Sequence, residues 1–235
     1  MNIPNKLLIL SVAPSIFIAL FIYFRDRYEK EPFRLLIKVF VFGALISAVV
    51  VPVEQFLMVY GRISARSQLS FTFFEAFIVA GLTEEYFKRF VVLRLAYDTP
   101  FFNQPFDGIV YCVFSAVGFA GIENIGYVLS VFQTSPQDTM SVIITRGIMS
   151  VPAHAMFGIV MGYYLGFAKF APPSKAYFYR QVSLIYPMIL HGFYDFILML
   201  NVEGAIYIVG AFEFFLLLYC FKLIKQSQEI SRLYF

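Results

Sequence analysis

Residues 71–90 read FTFFEAFIVAGLTEEYFKRF, and this stretch determines how the rest of the chain is interpreted. Between residues 71 and 82 only Glu75 is charged, so the segment has the composition of a membrane-spanning helix. Two adjacent carboxylates, Glu84 and Glu85, follow at its end. Ionisable groups inside such a span cost about 2.5–3.5 kcal/mol each on insertion, so they indicate a functional site.

A structural interpretation of the same stretch is also open. Glu84 precedes Lys88 and Glu85 precedes Arg89 by four positions, in the orientation in which such pairs stabilise a helix. Two ion pairs of this kind would anchor a helix end at the membrane surface. The two interpretations predict different surroundings for the carboxylates: a buried site in one case and the bilayer surface in the other.

The composition identifies an integral membrane protein. Of the 235 residues, 60% are hydrophobic and only 14% are charged, and a soluble domain of this length could not bury so much apolar surface. We predict an all-α fold, a polytopic transmembrane helical bundle that forms a single domain over residues 1–235, with a motif-bearing core at about residues 70–200. Cys112 and Cys220 lie in apolar runs and are interpreted as buried small hydrophobic residues. The net charge of +3 is modest and lies in particular loops, so it bears on the topology in the lipid bilayer, and we expect no nucleic-acid partner.

The apolar runs predict seven spans. They cover residues 5–24, 35–60, 71–93, 105–132, 141–168, 181–200 and 204–223. We do not expect the first to be a cleaved signal peptide, because its apolar run is too long and lacks a small-residue cleavage site. The stretch 171–180, which contains two consecutive prolines, is interpreted as a loop.

The distribution of Lys and Arg predicts the orientation of the bundle. Fourteen of the 18 basic residues fall in the links after spans 1, 3 and 5 or in the C-terminal tail, and four fall on the other side. Cytoplasmic loops carry the excess of positive charge. We therefore predict that the N-terminus lies outside and the C-terminus lies in the cytoplasm of a bacterial cell membrane.

Polar residues recur inside the later spans. The only two histidines of the chain, His154 and His191, fall in separate spans. Asp195 follows His191 by four positions, so the two share a helix face and the carboxylate could fix the imidazole tautomer. Glu123 and Asn124 lie in the fourth span. A single buried histidine is usually structural, but two histidines among several buried acids favour a site.

The depths of these residues are compatible with one cluster. At about 1.5 Å per residue, Glu84 and His154 lie roughly 20 Å from the outer ends of their spans, and His191 lies roughly 17 Å from the inner end. The hydrocarbon core is about 30 Å thick, so all three come near its middle, while Glu123 comes nearer the outer face. The residues can therefore meet.

Small and helix-breaking residues indicate how the spans pack. Pro152 and Pro187 precede the two histidines and could open the helices next to a watery cavity, although an ordinary kink is an equally good interpretation. Gly158 and two further glycines at four-residue spacing, Gly162 and Gly166, predict close approach of a neighbouring helix.

These motifs resemble those of the PrsW family of bacterial intramembrane proteases, which is related to the CAAX-type membrane proteases. The matching motifs, in chain order, are Glu84-Glu85-x-x-Lys88, Phe119-x-x-x-Glu123, His154 and His191-x-x-x-Asp195. The resemblance extends from about Glu75 to Asp195, roughly half of the chain.

The resemblance implies a function. It implies endopeptidase activity on a single-span membrane protein, namely the first (site-1) cut of an anti-sigma factor, which starts regulated intramembrane proteolysis in a stress response. It also places Glu84, Glu85 and a histidine among the essential residues. It leaves the mechanism open, because the family has been described both as metalloprotease and as glutamate-dependent.

We expect hydrolysis without a covalent intermediate, because no Ser or Cys stands beside a base; Ser115 and Ser150 are the remaining nucleophile candidates. One of the paired glutamates, with Glu84 preferred over Glu85, would be the general base that activates water. Five residues with supporting roles are candidates. His154 and His191 would orient the water or stabilise the oxyanion, with Asp195 orienting His191, Glu123 completing the network and Lys88 partnering the acids.

No cofactor is certain, but the same region could instead bind zinc. His154, His191 and Glu123 would supply the ligands and leave one position open for water. No HExxH spacing is present, so the ligands would have to come from separate helices.

Two other classes of protein remain as alternatives. A proton-coupled transporter or channel could use buried Glu, His and Asp as a proton relay, although an internal repeat is missing. A heptahelical binding or signalling protein would leave the acids in the middle of the membrane without a role.

Overall fold

A computed structural model describes residues 5–234 of the chain. Over this range the chain forms nine α-helices, one π-helical segment and two short 3₁₀ turns, with no β-strand. The elements are α1 (Asn5–Arg25), α2 (Phe33–Ser64), α3 (Gln68–Phe74), the π-helical segment (Glu75–Leu82), α4 (Thr83–Leu95), α5 (Pro105–Thr134), α6 (Thr139–Ile148), α7 (Ser150–Phe170), α8 (Pro173–Met199), α9 (Ala205–Ser231) and the 3₁₀ turns Pro136–Asp138 and Arg232–Tyr234.

The predicted all-α transmembrane bundle is confirmed. Among the described residues, six helical segments are long and apolar enough to cross a membrane. The remaining predicted span, the third (71–93), corresponds to α3, the π-helical segment and α4, which form one continuous rod because the backbone stays helical at both junctions. None of its three pieces is as long as a span by itself. The N-terminus-outside orientation stays a prediction from the loop charges.

The predicted ends of two spans differ from the structure. α8 begins at Pro173, well before the predicted start, so the predicted loop at 171–180 is wrong: only Ala171 and Pro172 lie outside the helices. A proline at the first helical position is favourable, because its missing N–H would be unpaired there anyway. α9 continues to Ser231, since a helix can extend past the apolar run that marks the membrane crossing.

α5 is the central helix of the bundle. In its most apolar window, 94% of the residues are buried, and the helix contacts α1, α2, α4, α7 and α9. A helix that is apolar on all sides has to be surrounded in this way. Glu123 and Asn124 follow this enclosed stretch, and their side chains bond to residues of the neighbouring helices α7, α6 and α1.

α5 and α7 approach each other closely at glycine. A Cβ atom on Gly162 would collide with the carbonyl oxygen of Gly108, and one on Gly166 would collide with that of Pro105. A Cβ on Gly158 would lie 3.1 Å from the Cβ of Ala116. The close packing predicted from the four-residue glycine spacing is confirmed, and it fixes His154 of α7 beside α5.

The π-helical segment stands directly before the two glutamates. It covers Glu75–Leu82, and the hydroxyl of Thr83 donates a hydrogen bond of 3.1 Å to the carbonyl oxygen of Ile78, five residues earlier. A π-helical turn shifts the phase of the residues after it and often marks a functional site. Gly81 allows this segment to lie against α8, because a Cβ there would be 2.8 Å from the carbonyl oxygen of Met188.

The two proline positions differ in the structure. The helix breaks at Met149, between α6 and α7, and Pro152 stands at the third residue of the new helix, where a proline is tolerated. Pro187 lies inside α8, which runs without interruption. The opening near His154 therefore comes from the break at Met149.

We expect Gly162→Ala to destabilise the protein, because the added methyl group would force α5 and α7 apart. Overpacking of this kind costs about 1–3 kcal/mol, which corresponds to a fall of several °C in Tm. Thermal unfolding in detergent measures it. Gly210→Ala is the matched control, since Gly210 of α9 has open space around it and should gain slightly from the higher helix propensity of alanine. Equal Tm values for the two variants would contradict the packing argument.

Candidate active site

The ammonium group of Lys88 lies at the centre of a buried polar cluster. Its Nζ is 2.9 Å from Oε2 of Glu84, 2.8 Å from Oε1 of Glu85 and 2.9 Å from Nδ1 of His154. Lys88 is fully buried, and its Nζ also lies 4.5 Å from the ring centroid of Phe119. All three nitrogen-bound hydrogens of the ammonium thus have an acceptor, as a buried cation requires.

The first turns of α4 place these groups on one face. Glu84 and Glu85 precede Lys88 by four and three residues, the two spacings that bring helical side chains together. The hydroxyl of Ser115 on α5 donates a 2.8 Å hydrogen bond to the backbone carbonyl of Lys88. This contact fixes α4 against the central helix.

The structural interpretation of the sequence, in which two ion pairs anchor a helix end at the surface, is wrong. The Glu84–Lys88 pair forms, but it lies in the interior of the bundle. Among residues 5–234, Glu85 forms no ion pair with Arg89; its Oε1 contacts Lys88 and His191.

His191 of α8 lies between two carboxylates. Its Nδ1 is 2.9 Å from Oε1 of Glu85, and its Nε2 is 3.4 Å from Oδ2 of Asp195. The ring stacks on Phe157, with the centroids 4.9 Å apart. The contact predicted between Asp195 and the imidazole is present, so the orientation of this ring is fixed on three sides.

His154 of α7 joins the Lys88 centre to a second acid. Its Nδ1 faces Lys88, while its Nε2 is 2.9 Å from Oε2 of Glu123 on α5. Because the ammonium can only donate, Nδ1 is the acceptor and Nε2 carries the hydrogen that Glu123 accepts. The two imidazole rings are 5.1 Å apart, in a T-shaped arrangement.

Arg146 of α6 secures Glu123 from the other side. Its Nη2 is 3.1 Å from Oε2 of Glu123, and its Nε donates a 2.8 Å hydrogen bond to Oδ1 of Asn124. Its guanidinium lies 3.8 Å from the ring centroid of Tyr127. Arg146 entered the sequence-based prediction only as one of the four basic residues on the outer side. Its place in a largely apolar helix near His154 was the signal that could have identified it.

The cluster opens onto a cavity of about 1350 Å³. Glu84, His154 and His191 line this cavity, whereas Glu85 does not. Charged residues of the neighbouring helices also line it: Glu54, Arg62, Glu75, Glu123, Arg146 and Asp195. Glu54 was not predicted as a site residue, although a lone acid in the apolar run of α2 indicates a functional site in the same way as Glu84.

The two serines predicted as remaining nucleophile candidates have other surroundings. The hydroxyl of Ser115 donates its hydrogen bond to the backbone of α4, and Ser150 lies in the cavity wall at the start of α7. In the range 5–234 neither hydroxyl is hydrogen-bonded to a histidine. A base-activated serine is therefore not assembled here.

The donor set of the cluster suits a metal ion. One ligand atom each of Glu84, Glu85, His154 and His191 lies within 4.8 Å of the other three, and all four residues are buried. Imidazole and carboxylate are the ligands of catalytic zinc. Lys88 Nζ contacts three of the four residues, so an ion could enter only if this ammonium withdrew. The sequence-based set included Glu123, which in the structure contacts the opposite ring nitrogen of His154 and lies outside the group.

Comparison with known proteins identifies the family. The PrsW family intramembrane metalloprotease profile matches residues 31–222. The chain belongs to the PrsW family. The PrsW protease of Geobacillus kaustophilus is 34% identical over 221 residues, which cover 94% of this chain and 92% of the relative. That of Clostridioides difficile is 37% identical over 201 residues (85% and 82%), and that of Bacillus subtilis is 29% identical over 222 residues (94% of each). No solved structure matches the chain.

Membership of the PrsW family confirms the resemblance drawn from the motifs. The protein is a membrane-embedded protease that crosses a bacterial membrane several times, and its substrate is a protein. The family supports a protease over the transporter and the heptahelical alternatives.

Replacing Lys88 tests the electrostatic centre of the site. We expect Lys88→Met to lower the stability of the folded protein strongly, because it leaves two adjacent carboxylates buried without their cation; breaking such a pair costs about 3–5 kcal/mol. Thermal unfolding in detergent measures this. The control is Lys225→Met on α9, whose Nζ lies 3.9 Å from Glu229 in an exposed ion pair and should have almost no effect. A Lys88→Met protein as stable as this control would show that the pairing is not needed.

Proposed function

We propose that this protein is an intramembrane endopeptidase that makes the first cut in a single-span membrane protein of the anti-sigma-factor type. The observation that carries the proposal is the buried group of Glu84, Glu85, His154 and His191. The first three of these residues contact Lys88, and all of them except Glu85 line a large cavity. Such a cavity admits both a segment of substrate and the water that hydrolysis consumes. A stress response triggered by this cut is the role that the family resemblance implies.

Glu84 is the better candidate for the general base. It lines the cavity and its side chain is 8% exposed, whereas Glu85 is fully buried behind it. Its Oε2 is bound to Lys88, while its Oε1 makes no hydrogen bond to the described residues and is available to water. Glu84 would take a proton from that water as it attacks the scissile carbonyl, and would pass it to the leaving amine.

The other residues would position the base and stabilise the oxyanion. Glu85 holds His191 and shares Lys88 with the base, so the ammonium fixes both carboxylates at once. Both nitrogens of His191 face carboxylate oxygens, so the ring donates on both sides and presents positive charge to the cavity wall. Charge of this sign near the carbonyl oxygen would stabilise the oxyanion of the tetrahedral intermediate.

A metal-dependent version of the same site is the second candidate, favoured by the donor set and the family description. Glu84, Glu85, His154 and His191 would hold the ion, with Lys88 displaced from between them. A bound zinc ion supplies a Lewis acid and water of lowered pKa. The contact between Glu123 and Nε2 of His154 would then have a second use, since carboxylates commonly orient metal-binding histidines in this way.

The decisive assay uses purified protein in liposomes with a fluorescently tagged, single-span substrate of the anti-sigma type. We expect Glu84→Gln to reduce cleavage at least about 100-fold, since a positioned base contributes roughly 10²–10⁴, and His191→Ala to reduce it strongly. Glu203→Gln, in the exposed link between α8 and α9, is the matched control and should cleave like wild type. Glu84→Gln activity within twofold of wild type, or no cleavage by wild type, would contradict the proposal.

Chelation separates the two mechanisms. With a glutamate-activated water, we expect wild-type cleavage to be unchanged after treatment with a strong chelator, because Lys88 supplies the positive charge. With a metal-bound water, chelation abolishes cleavage and added zinc restores it in wild type but not in His154→Ala. The rate of substrate cleavage before chelation, after chelation and after zinc addition is the measurement.

A further inference from the structure

A second group of buried acids lies at the other end of α5. Asp26 follows α1, Glu31 precedes α2, and Asp107 stands in the first turn of α5; one carboxylate oxygen of each lies within 4.8 Å of the other two. Asp107 and Glu123 are 16 residues apart on the same helix, or roughly 24 Å along its axis at 1.5 Å per residue. The group is therefore separate from the candidate active site.

Two of the three carboxyl groups accept hydrogen bonds from neighbouring donors. Oδ2 of Asp107 accepts hydrogen bonds from the backbone N–H groups of Asn103 (2.8 Å) and Gln104 (2.9 Å). The hydroxyl of Tyr111 donates to Oε2 of Glu31. Donors of this kind favour the charged form of a carboxyl group.

The remaining oxygens of the group lack partners. Asp26 is 2% exposed and neither of its carboxylate oxygens has a hydrogen-bond partner, and the same holds for Oδ1 of the fully buried Asp107. Buried polar groups are normally paired, so the unpaired oxygens of Asp26 and Asp107 within this group indicate a missing ligand.

No protein cation neutralises this charge. Among residues 5–234, none of the three carboxylates has a Lys, Arg or His nitrogen within ion-pair distance. The nearby Lys30 turns its ammonium to the backbone carbonyls of Tyr23 and Asp26. Buried carboxylates that are not paired with a basic residue commonly coordinate a metal.

We propose that Asp26, Glu31 and Asp107 form a binding site for a hard divalent cation of the Ca²⁺ or Mg²⁺ class. The donors are all oxygen atoms, which such ions prefer, whereas the active-site group offers nitrogen. Oxygens up to 4.8 Å apart are spanned by a Ca²⁺ ion with bonds of about 2.3–2.6 Å. The ion would tie the link between α1 and α2 to the start of α5, the helix that carries Glu123.

The test is calorimetric titration of the full-length protein in nanodiscs, stripped with EDTA, with CaCl₂, MgCl₂ or MnCl₂ alone. We expect one equivalent of at least one of these ions to bind and to raise the Tm. Asp26→Asn and Glu31→Gln should each weaken binding at least about tenfold. Asp98→Asn, an exposed acid in the link between α4 and α5, and Glu84→Gln in the active-site group should bind like wild type.

Two results would overturn the proposal. In the first, none of the three ions binds wild type; the carboxyl groups then share protons and not a metal. In the second, binding is lost in Glu84→Gln and kept in Asp26→Asn and Glu31→Gln, which would assign the ion to the active-site group. The titration of wild type by itself shows whether an ion binds, so the proposal can be overturned even if a variant fails to fold.

Discussion

The fold of this protein depends on the pairing of one buried ammonium group with three acceptors. Lys88 lies in the interior of the bundle with Glu84, Glu85 and His154 around it, drawn from α4 and α7. Each partner would be costly to bury alone, and together they leave the Lys88 ammonium with no unpaired hydrogen. The same arrangement concentrates negative charge next to a cavity. We therefore expect a change to Lys88 to affect both the stability of the protein and the cleavage of substrate.

Backbone packing places these groups with the required accuracy. The glycines of α7 bring it against α5, so that His154 reaches Glu123, and the π-helical segment turns the first residues of α4 towards α8, so that Glu85 reaches His191. A shift of either helix by a fraction of a turn would separate these pairs. The candidate catalytic groups thus lie on packed helices, beside a cavity whose wall includes exposed residues such as Ile122.

Much of this could be predicted from the sequence, and the limits have physical causes. Apolar runs determine the spans, and a rare charge such as Glu84 or a lone histidine in such a run identifies the site, because insertion penalises it. The break at Met149 and the π-helical segment could not be predicted, since an apolar run has the same composition in either geometry. The rotation of each helix about its own axis could not be predicted either. Lys88 was therefore expected to partner the acids, but its contact with His154 was not expected. Arg146 was counted for topology and was not connected to Glu123.

The central claim is that the cavity beside Lys88 receives the scissile segment of the substrate. Photo-crosslinking in the Glu84→Gln protein tests it most directly, with a photoreactive amino acid at Ile122, in the cavity wall, or at Ile208, on the lipid-exposed face of α9 outside the cavity. We predict that Ile122 crosslinks a single-span substrate within a few residues of the bond that wild type cleaves, as mapped by mass spectrometry, and that Ile208 does not. Equal crosslinking from both positions, or crosslinks from Ile122 far from the cleaved bond, would contradict the account.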